Sequence, residues 1–180
     1  HQLIQDNFLF YDKLARHKKI TYTLHSELED KEVLFDANYL ELIVNNLLSN
    51  AFKYTESGQS ITVTLKEENG WLLLQVSDTG IGIPINKQGK IFERFYQIDN
   101  DMTQSNFGTG IGLHLSRSLV ELHHGIIKAE NREDGQGTRF IIRLPLGSNH
   151  LKAEELENPE ETGSEPTISQ PVSYTHLTLP

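Results

Sequence analysis

Apolar residues recur along the chain with two periods, and the changes from one to the other mark out its elements. Residues 3 to about 17 place Leu3, Ile4, Phe8, Tyr11, Leu14 and Ala15 at three- and four-residue spacings, which predicts an amphipathic helix. Residues 20–25 alternate β-branched and polar side chains and read as a strand, and residues 33–35 read as a second, short one. Over residues 38–54 the positions Leu40, Ile43, Val44, Leu47, Leu48 and Ala51 follow the i, i+3, i+4, i+7 pattern of a helix with one buried face. Asp36 just before it is a candidate N-cap. Residues 59–67 and 71–77 are strand-like and are joined through Asn69-Gly70, a hairpin signal. A further helix runs from about Gly110 to Leu122 and ends near Gly125; residues 126–131 and 138–144 are two more strands, the last stopped by Pro145. This order predicts an α/β (α+β) fold: a two-layer sandwich with a mixed, mostly antiparallel sheet of about five strands and three main helices on one face.

Polar residues sharpen the reading of the helix at 38–54. At about 100° per residue, Asn46, Asn50 and Lys53 form a stripe along one border of the apolar face, with Tyr54 between the two stripes. A solvated helix face would account for such a stripe. Asparagine, however, is a mediocre helix former, and Asn45, Asn46 and Asn50 crowd one otherwise good helix.

Two glycine clusters follow. Asp78-Thr-Gly80-Ile-Gly82-Ile83 begins at the end of a strand, and Gly108-Thr109-Gly110-Ile111-Gly112-Leu113 opens a helix. A glycine-rich turn that feeds a helix N-terminus presents unsatisfied N–H groups and the positive end of the helix dipole to an anion. The second cluster therefore predicts a phosphate site, while the carboxylate of Asp78 is a candidate acceptor for a base. A nucleotide spanning both is the economical reading.

The 180 residues suffice for one domain with a real core and an appendage. There is no cysteine, hence no disulfide and no thiolate metal site. The net charge of −9 argues against nucleic acid as a partner. Six glutamates and one lysine between Leu151 and Pro166 supply much of it, so the body is only mildly acidic. Apolar runs are far shorter than a membrane span and the N-terminus has no signal-peptide pattern, so a soluble piece is expected. The expected divisions are a nucleotide-binding domain over 1–147, an acidic, unstructured linker over 148–171, and a tail over 172–180 whose composition suggests a cloning remnant.

With these segments in place, the chain resembles the catalytic ATP-binding domain of two-component sensor histidine kinases, in the GHKL superfamily. Asn46-Leu-Leu-Ser-Asn50-Ala-Phe-Lys53-Tyr54-Thr matches the family's asparagine box, and the two clusters above match its glycine boxes. Phe92-Glu-Arg94-Phe95 matches the phenylalanine box, and Gly135-Gln-Gly137-Thr138-Arg-Phe the last glycine motif. The likeness covers roughly residues 3–146.

The resemblance implies ATP and Mg²⁺ as cofactors. Asn50, with Asn46 beside it, would ligate the metal; Lys53 would contact phosphate and Tyr54 would pack near adenine or ribose. Asp78 would accept from the exocyclic amine of adenine. Gly80, Gly82, Ile83 and Thr138 would complete the base end, and Gly108, Thr109, Gly110, Ile111, Gly112 and Leu113 the phosphate end. Residues 96–107 would form a lid over the nucleotide. Asn46, Lys53 and Arg94 are the candidate catalytic residues, although Arg94 reads equally well as half of a surface ion pair. Phe92 and Phe95 read first as core. His123 and His124 read as helix-dipole partners or surface residues, since nothing nearby suggests a third metal ligand.

The family's ATP-hydrolysing relatives carry a glutamate one turn before the metal-binding asparagine; here that position is Asn46, which accepts no proton at neutral pH. That favours phosphoryl transfer to an outside acceptor over steady hydrolysis. None of the eight histidines has the sequence context of the family's acceptor. The partners implied are a histidine-bearing dimerisation domain of the same parent and a response-regulator receiver domain downstream. The implied setting is cytoplasmic, free or as the cytoplasmic part of a membrane-bound sensor. Two alternatives stay open: a non-catalytic nucleotide-sensing module and a GHKL-type ATPase.

Overall fold

A computed structural model describes residues 2–27, 35–98, 109–133 and 135–147, with residues 2–8 described by backbone alone. The elements are α1 (Gln2–Lys18), β1 (Thr21–Ser26), α2 (Ala37–Tyr54), β2 (Ser60–Glu68), β3 (Trp71–Asp78), two 3₁₀ turns (Ile85–Lys87 and Lys90–Phe92), α3 (Gly112–Leu122), β4 (Ile126–Asn131) and β5 (Thr138–Pro145). The strands form one sheet in the order β1-β2-β3-β5-β4. β1 and β2 are parallel, with α2 as the crossover between them, and every other pair is antiparallel. The predicted two-layer fold is the one observed.

Alternation along the strands builds the core. Ile61, Val63 and Leu65 of β2 pair with Asp78, Val76 and Leu74 of β3. Val76, Leu74 and Leu72 in turn face Phe140, Ile142 and Leu144 of β5. Directly paired residues share a face of the sheet, so these side chains form one apolar layer. α2 lies on that layer with Ile43, Val44, Leu47, Leu48, Ala51 and Phe52 buried. The polar stripe of α2 is thereby fixed at the edge of the layer. Asp78 continues the buried row of β3 where another leucine would be expected: it is in phase with Leu72, Leu74 and Val76 and is only 2% exposed.

Local signals in the sequence set several boundaries. Asp36 Oδ1 accepts from the backbone N–H groups of Asn38 and Tyr39, at 2.8 and 3.4 Å, and so caps α2 as its sequence predicts. Asn69 and Gly70 have φ of 52° and 80°, the left-handed pair that a tight two-residue hairpin requires. At the other end of α2, Lys18 Nζ donates to the carbonyl of Phe52 at 2.7 Å, while Tyr11 stacks on the Phe52 ring at 5.2 Å.

Three details differ from the sequence reading. Leu14 is 38% exposed rather than buried, because it lies to one side of the Tyr11–Ala15 row that meets α2. α3 begins at Gly112, two residues later than expected. Phe92 is in the core, edge-on to Phe140 with ring centroids 6.5 Å apart, whereas Phe95 is exposed. The short strand expected at 33–35 falls largely outside the described residues, and Phe35 itself is not in a strand.

Candidate functional site

Where the polar stripe of α2 meets the C-terminal end of β3 and the N-terminus of α3, the fold encloses a cavity of about 320 Å³. Asn46, Ser49, Asn50, Lys53 and Tyr54 line it from α2; Asp78, Thr138 and Phe140 from the sheet; Thr109, Gly110, Gly112 and Leu113 from the start of α3. Ile81, Gly82, Ile83, Pro84, Ile91, Tyr96, Gln97 and Ile98 close the remaining wall.

The sheet side is a buried carboxylate in an apolar slot. Asp78 Oδ1 accepts from the backbone N–H groups of Gly80 and Thr138, at 2.9 and 3.2 Å. Oδ2 makes no hydrogen bond among the described residues. Burial pushes the Asp78 carboxyl above its ordinary range; the two backbone N–H groups and the nearby charge of Arg132 pull the other way without cancelling that effect. The loop that follows is held at its far end, where Ile83 N–H donates to Asn131 Oδ1 at 3.0 Å. Between the two, Gly82 adopts φ +74°.

The helix side suits an anion. The first backbone bond of α3 runs from Leu115 N–H to the carbonyl of Ile111, and no side chain caps the helix. The N–H groups of Gly112, Leu113 and His114 therefore lack intrahelical partners, in a turn that lines the cavity. Asn46 fixes how closely this turn approaches α2. Its Nδ2 donates to the buried hydroxyl of Ser116 at 2.9 Å, and a Cβ on Gly112 would run into its amide oxygen. Any larger residue at 112 would have to displace the Asn46 amide from its place against Ser116.

Magnesium can be tested against the same donors. No group of three or more histidine, cysteine or acidic residues capable of holding a metal occurs among the described residues. Besides the hydroxyls of Ser49 and Tyr54, α2 offers two carboxamide oxygens: that of Asn50, which makes no hydrogen bond among the described residues, and Oδ1 of Asn46, whose nitrogen is bonded to Ser116. A hard cation that keeps its waters and takes its remaining ligands from phosphate fits such a set better than one needing an all-protein cage.

Most of the residues singled out from the sequence converge here. Asn46, Asn50, Lys53, Tyr54, Asp78, Gly82, Ile83, Thr109, Gly110, Gly112, Leu113 and Thr138 all line the cavity. Gly80 lies beneath it, its N–H on Asp78 and its Cα face against the carbonyl of Tyr54. Ile111 and Arg94 do not line it; Arg94 is exposed over the Phe95 ring, 4.7 Å from its centroid. Gly108 and most of the expected lid lie outside the described residues, and residues 96–98 line the cavity.

Sequence reasoning missed Ser116 and Asn131, which act through bonds spanning 70 and 48 residues, and the apolar wall of Ile91, Ile98 and Phe140. The apolar residues had a signal in their strand and helix periodicity, but it reports burial, not which cavity they face. His123 is more than a dipole partner: its Nδ1 lies 2.8 Å from the carbonyl of Leu119, its Nε2 accepts from Asp36 N–H at 3.4 Å, and its ring stacks on Phe35 at 3.7 Å.

Comparison with known proteins bears on the family and the fold. A family described as histidine kinase-, DNA gyrase B- and HSP90-like ATPase matches residues 35–148. The sensor histidine kinase TmoS of Ectopseudomonas mendocina is 41% identical over 149 residues, covering 82% of this chain and 15% of that protein. The sensor protein kinase WalK of Staphylococcus aureus is 35% identical over 150 residues, covering 80% of this chain and 24% of that protein. The chain spans 9–24% of the length of these and two further curated relatives. Among solved structures, the nucleotide-free catalytic domain of histidine kinase ThkA superposes with a TM-score of 0.71 at 27% identity, covering 81% of this chain and 92% of that one. ThkA in complex with the response regulator TrrA gives 0.67 at 26% identity, covering 81% and 40%. The chain belongs to the histidine kinase-, DNA gyrase B- and HSP90-like ATPase family, and its fold is that of a sensor histidine kinase catalytic domain.

Proposed function

We propose that the chain binds ATP with Mg²⁺ in this cavity and passes the γ-phosphoryl group to a histidine on a separate dimerisation segment of its parent protein, for onward transfer to a response-regulator receiver domain. One observation carries the proposal: a single hollow joins a buried carboxylate on its β3 side to an uncapped helix N-terminus, two carboxamides and an ammonium on its α2–α3 side. These are the two recognition elements an adenine nucleotide needs.

Asp78 Oδ1 is engaged by two backbone N–H groups, so Oδ2 is the atom left to accept from the exocyclic amine of adenine. Guanine presents a carbonyl there, and two facing acceptors disfavour GTP. The N–H groups of Gly112, Leu113 and His114 receive phosphate oxygens, and Lys53 adds a compact positive charge. Asn50, with Asn46 Oδ1 beside it, would hold Mg²⁺, which would supply positive charge to offset the charge the phosphates gain during transfer.

Asn46 supplies no base for hydrolysis, because a carboxamide takes no proton at neutral pH and its nitrogen is already committed to Ser116. The acceptor histidine is brought to the cavity from outside. An imidazole nitrogen of that acceptor bonds to the γ-phosphorus as the bond to the β–γ bridging oxygen breaks, and ADP leaves. Arg94 lies outside the cavity, so its proposed part is confined to the transfer complex. The proposed domain covers residues 1–147, in a parent whose kinase part is cytoplasmic.

The test is transfer of radiolabelled γ-phosphate from ATP to an added histidine-bearing dimerisation segment. Label on the histidine supports the proposal. Binding without transfer points to a nucleotide-sensing module, and steady hydrolysis abolished by Asn46→Ala points to an ATPase.

A further inference from the structure

β4 ends at Asn131 and β5 begins at Thr138, and these two residues are register partners at the mouth of one hairpin. Each holds one end of the loop that starts at Asp78. Thr138 donates its backbone N–H to Asp78 Oδ1 at 3.2 Å, and Asn131 Oδ1 accepts from Ile83 N–H at 3.0 Å. The two bonds differ in kind. The first uses backbone and survives any side chain at 138, whereas the second exists only because residue 131 carries an acceptor of the right reach.

What Asn131 holds is part of the cavity wall. Gly82 and Ile83 both line it beside Asp78. The turn at Gly82 is also backed closely against the hairpin: a Cβ there would lie 3.4 Å from both Asn131 Oδ1 and the carbonyl of Gly137. The carbonyl of Ile83 is tethered separately, accepting from Gln88 Nε2 at 3.3 Å. Without an acceptor at 131, the Ile83 N–H loses its partner, and at its far end the segment facing the base is left with only the bond from Gln88 to the Ile83 carbonyl.

We propose that Asn131 is a positioning residue for the base end of the site, setting the Gly82–Ile83 peptide against adenine through the Ile83 N–H. This rests on the nucleotide reading above. Because Asn131 acts at the base and not at the phosphates, its removal weakens adenosine, ADP and ATP by one common factor.

The experiment measures calorimetric affinity for ATP, ADP and adenosine, with amide hydrogen exchange at Ile83 and Thr138, in the full chain and in Asn131→Ala and Asn131→Asp. In Asn131→Ala the Ile83 amide loses protection while Thr138 keeps it, and all three affinities fall by about tenfold, as loss of one part-buried hydrogen bond allows. Asn131→Asp keeps an acceptor of equal reach and retains both the protection and the affinity. A fold defect alone would lower thermal stability without moving the affinity of the folded fraction. Unchanged affinities in Asn131→Ala, a loss confined to ATP, or a tenfold loss in Asn131→Asp despite a protected Ile83 amide would each overturn the inference. Absence of ATP binding by the unsubstituted chain would instead overturn the nucleotide reading itself, and this inference with it.

Discussion

Phe95 donates its backbone N–H to the carbonyl of Gly110 at 2.8 Å, and both residues are left-handed, with φ of 66° and 67°. The joint ties the segment after the second 3₁₀ turn to the turn that opens α3. A second tie lies one step further in, where His114 Nδ1 sits 3.2 Å from the carbonyl of Phe92. Together they fix where the N-terminus of α3 points, and so where its first N–H groups face.

Gly110→Ala strains this joint twice. A Cβ would sit 2.7 Å from the Phe95 carbonyl carbon, in a backbone conformation that side chains disfavour. The expected cost is about 1–3 kcal/mol of stability by urea denaturation, with loss of ATP binding in the protein that remains folded. A variant with unchanged stability and binding would show that the joint does not set α3.

The carboxyl of Asp78 gives a pH dependence with a definite sign. Its folded-state pKa lies above the unfolded one, so between the two the folded state binds more protons and stability falls as pH rises. Above the folded pKa the ionised group opposes folding, and Asp78→Asn, which keeps an oxygen for the Gly80 and Thr138 N–H groups, is expected to be at least as stable as the parent at neutral pH. Nucleotide binding has the opposite sign, because only the ionised carboxylate offers two acceptors. ATP affinity therefore falls as pH drops through the raised pKa, and the Asp78→Asn variant loses both the affinity and its pH dependence. Melting curves and calorimetry across pH check the two signs separately.

The α2–α3 contact has its own measurable weight. Ser116→Ala removes the buried acceptor for Asn46 Nδ2 and is expected to cost about 1 kcal/mol of stability by chemical denaturation. It also releases the Asn46 amide, so Mg-ATP affinity falls while affinity for adenosine, which reaches neither metal nor helix, stays.

Metal removal separates the two ends of the ligand. Chelation is expected to weaken ATP strongly, ADP less, and adenosine not at all, since the proposed oxygen donors are carboxamides that hold the cation only together with phosphate. In Asn50→Ala, ATP affinity should lose most of its dependence on Mg²⁺.

Much of this was legible in the sequence because it depends on short-range rules. The buried face and cap of α2 follow from spacing and from Asp36, and the β2–β3 turn from Asn69-Gly70. Asp78 was legible as a polar residue ending an apolar strand just before a glycine cluster. Position across long separations was not. Nothing local distinguishes Ser116 from any other helix serine, and its role appears only when α3 packs on α2 and Asn46 finds it 70 residues away. Asn131 reads as an ordinary strand-end polar residue until the hairpin carries it to Ile83. Arg94 illustrates the converse: a motif position whose side chain the fold leaves on the surface, over Phe95, rather than in the cavity.

The most direct test of the central claim is a calorimetric titration of Mg-ATP into the full chain and into its Asp78→Asn and Asn50→Ala variants. The predicted result is one site per chain, an affinity for ATP well above that for GTP, and a loss of at least about tenfold in each variant. Equal affinity in all three proteins would contradict the claim that these two residues bind opposite ends of one nucleotide in a shared cavity.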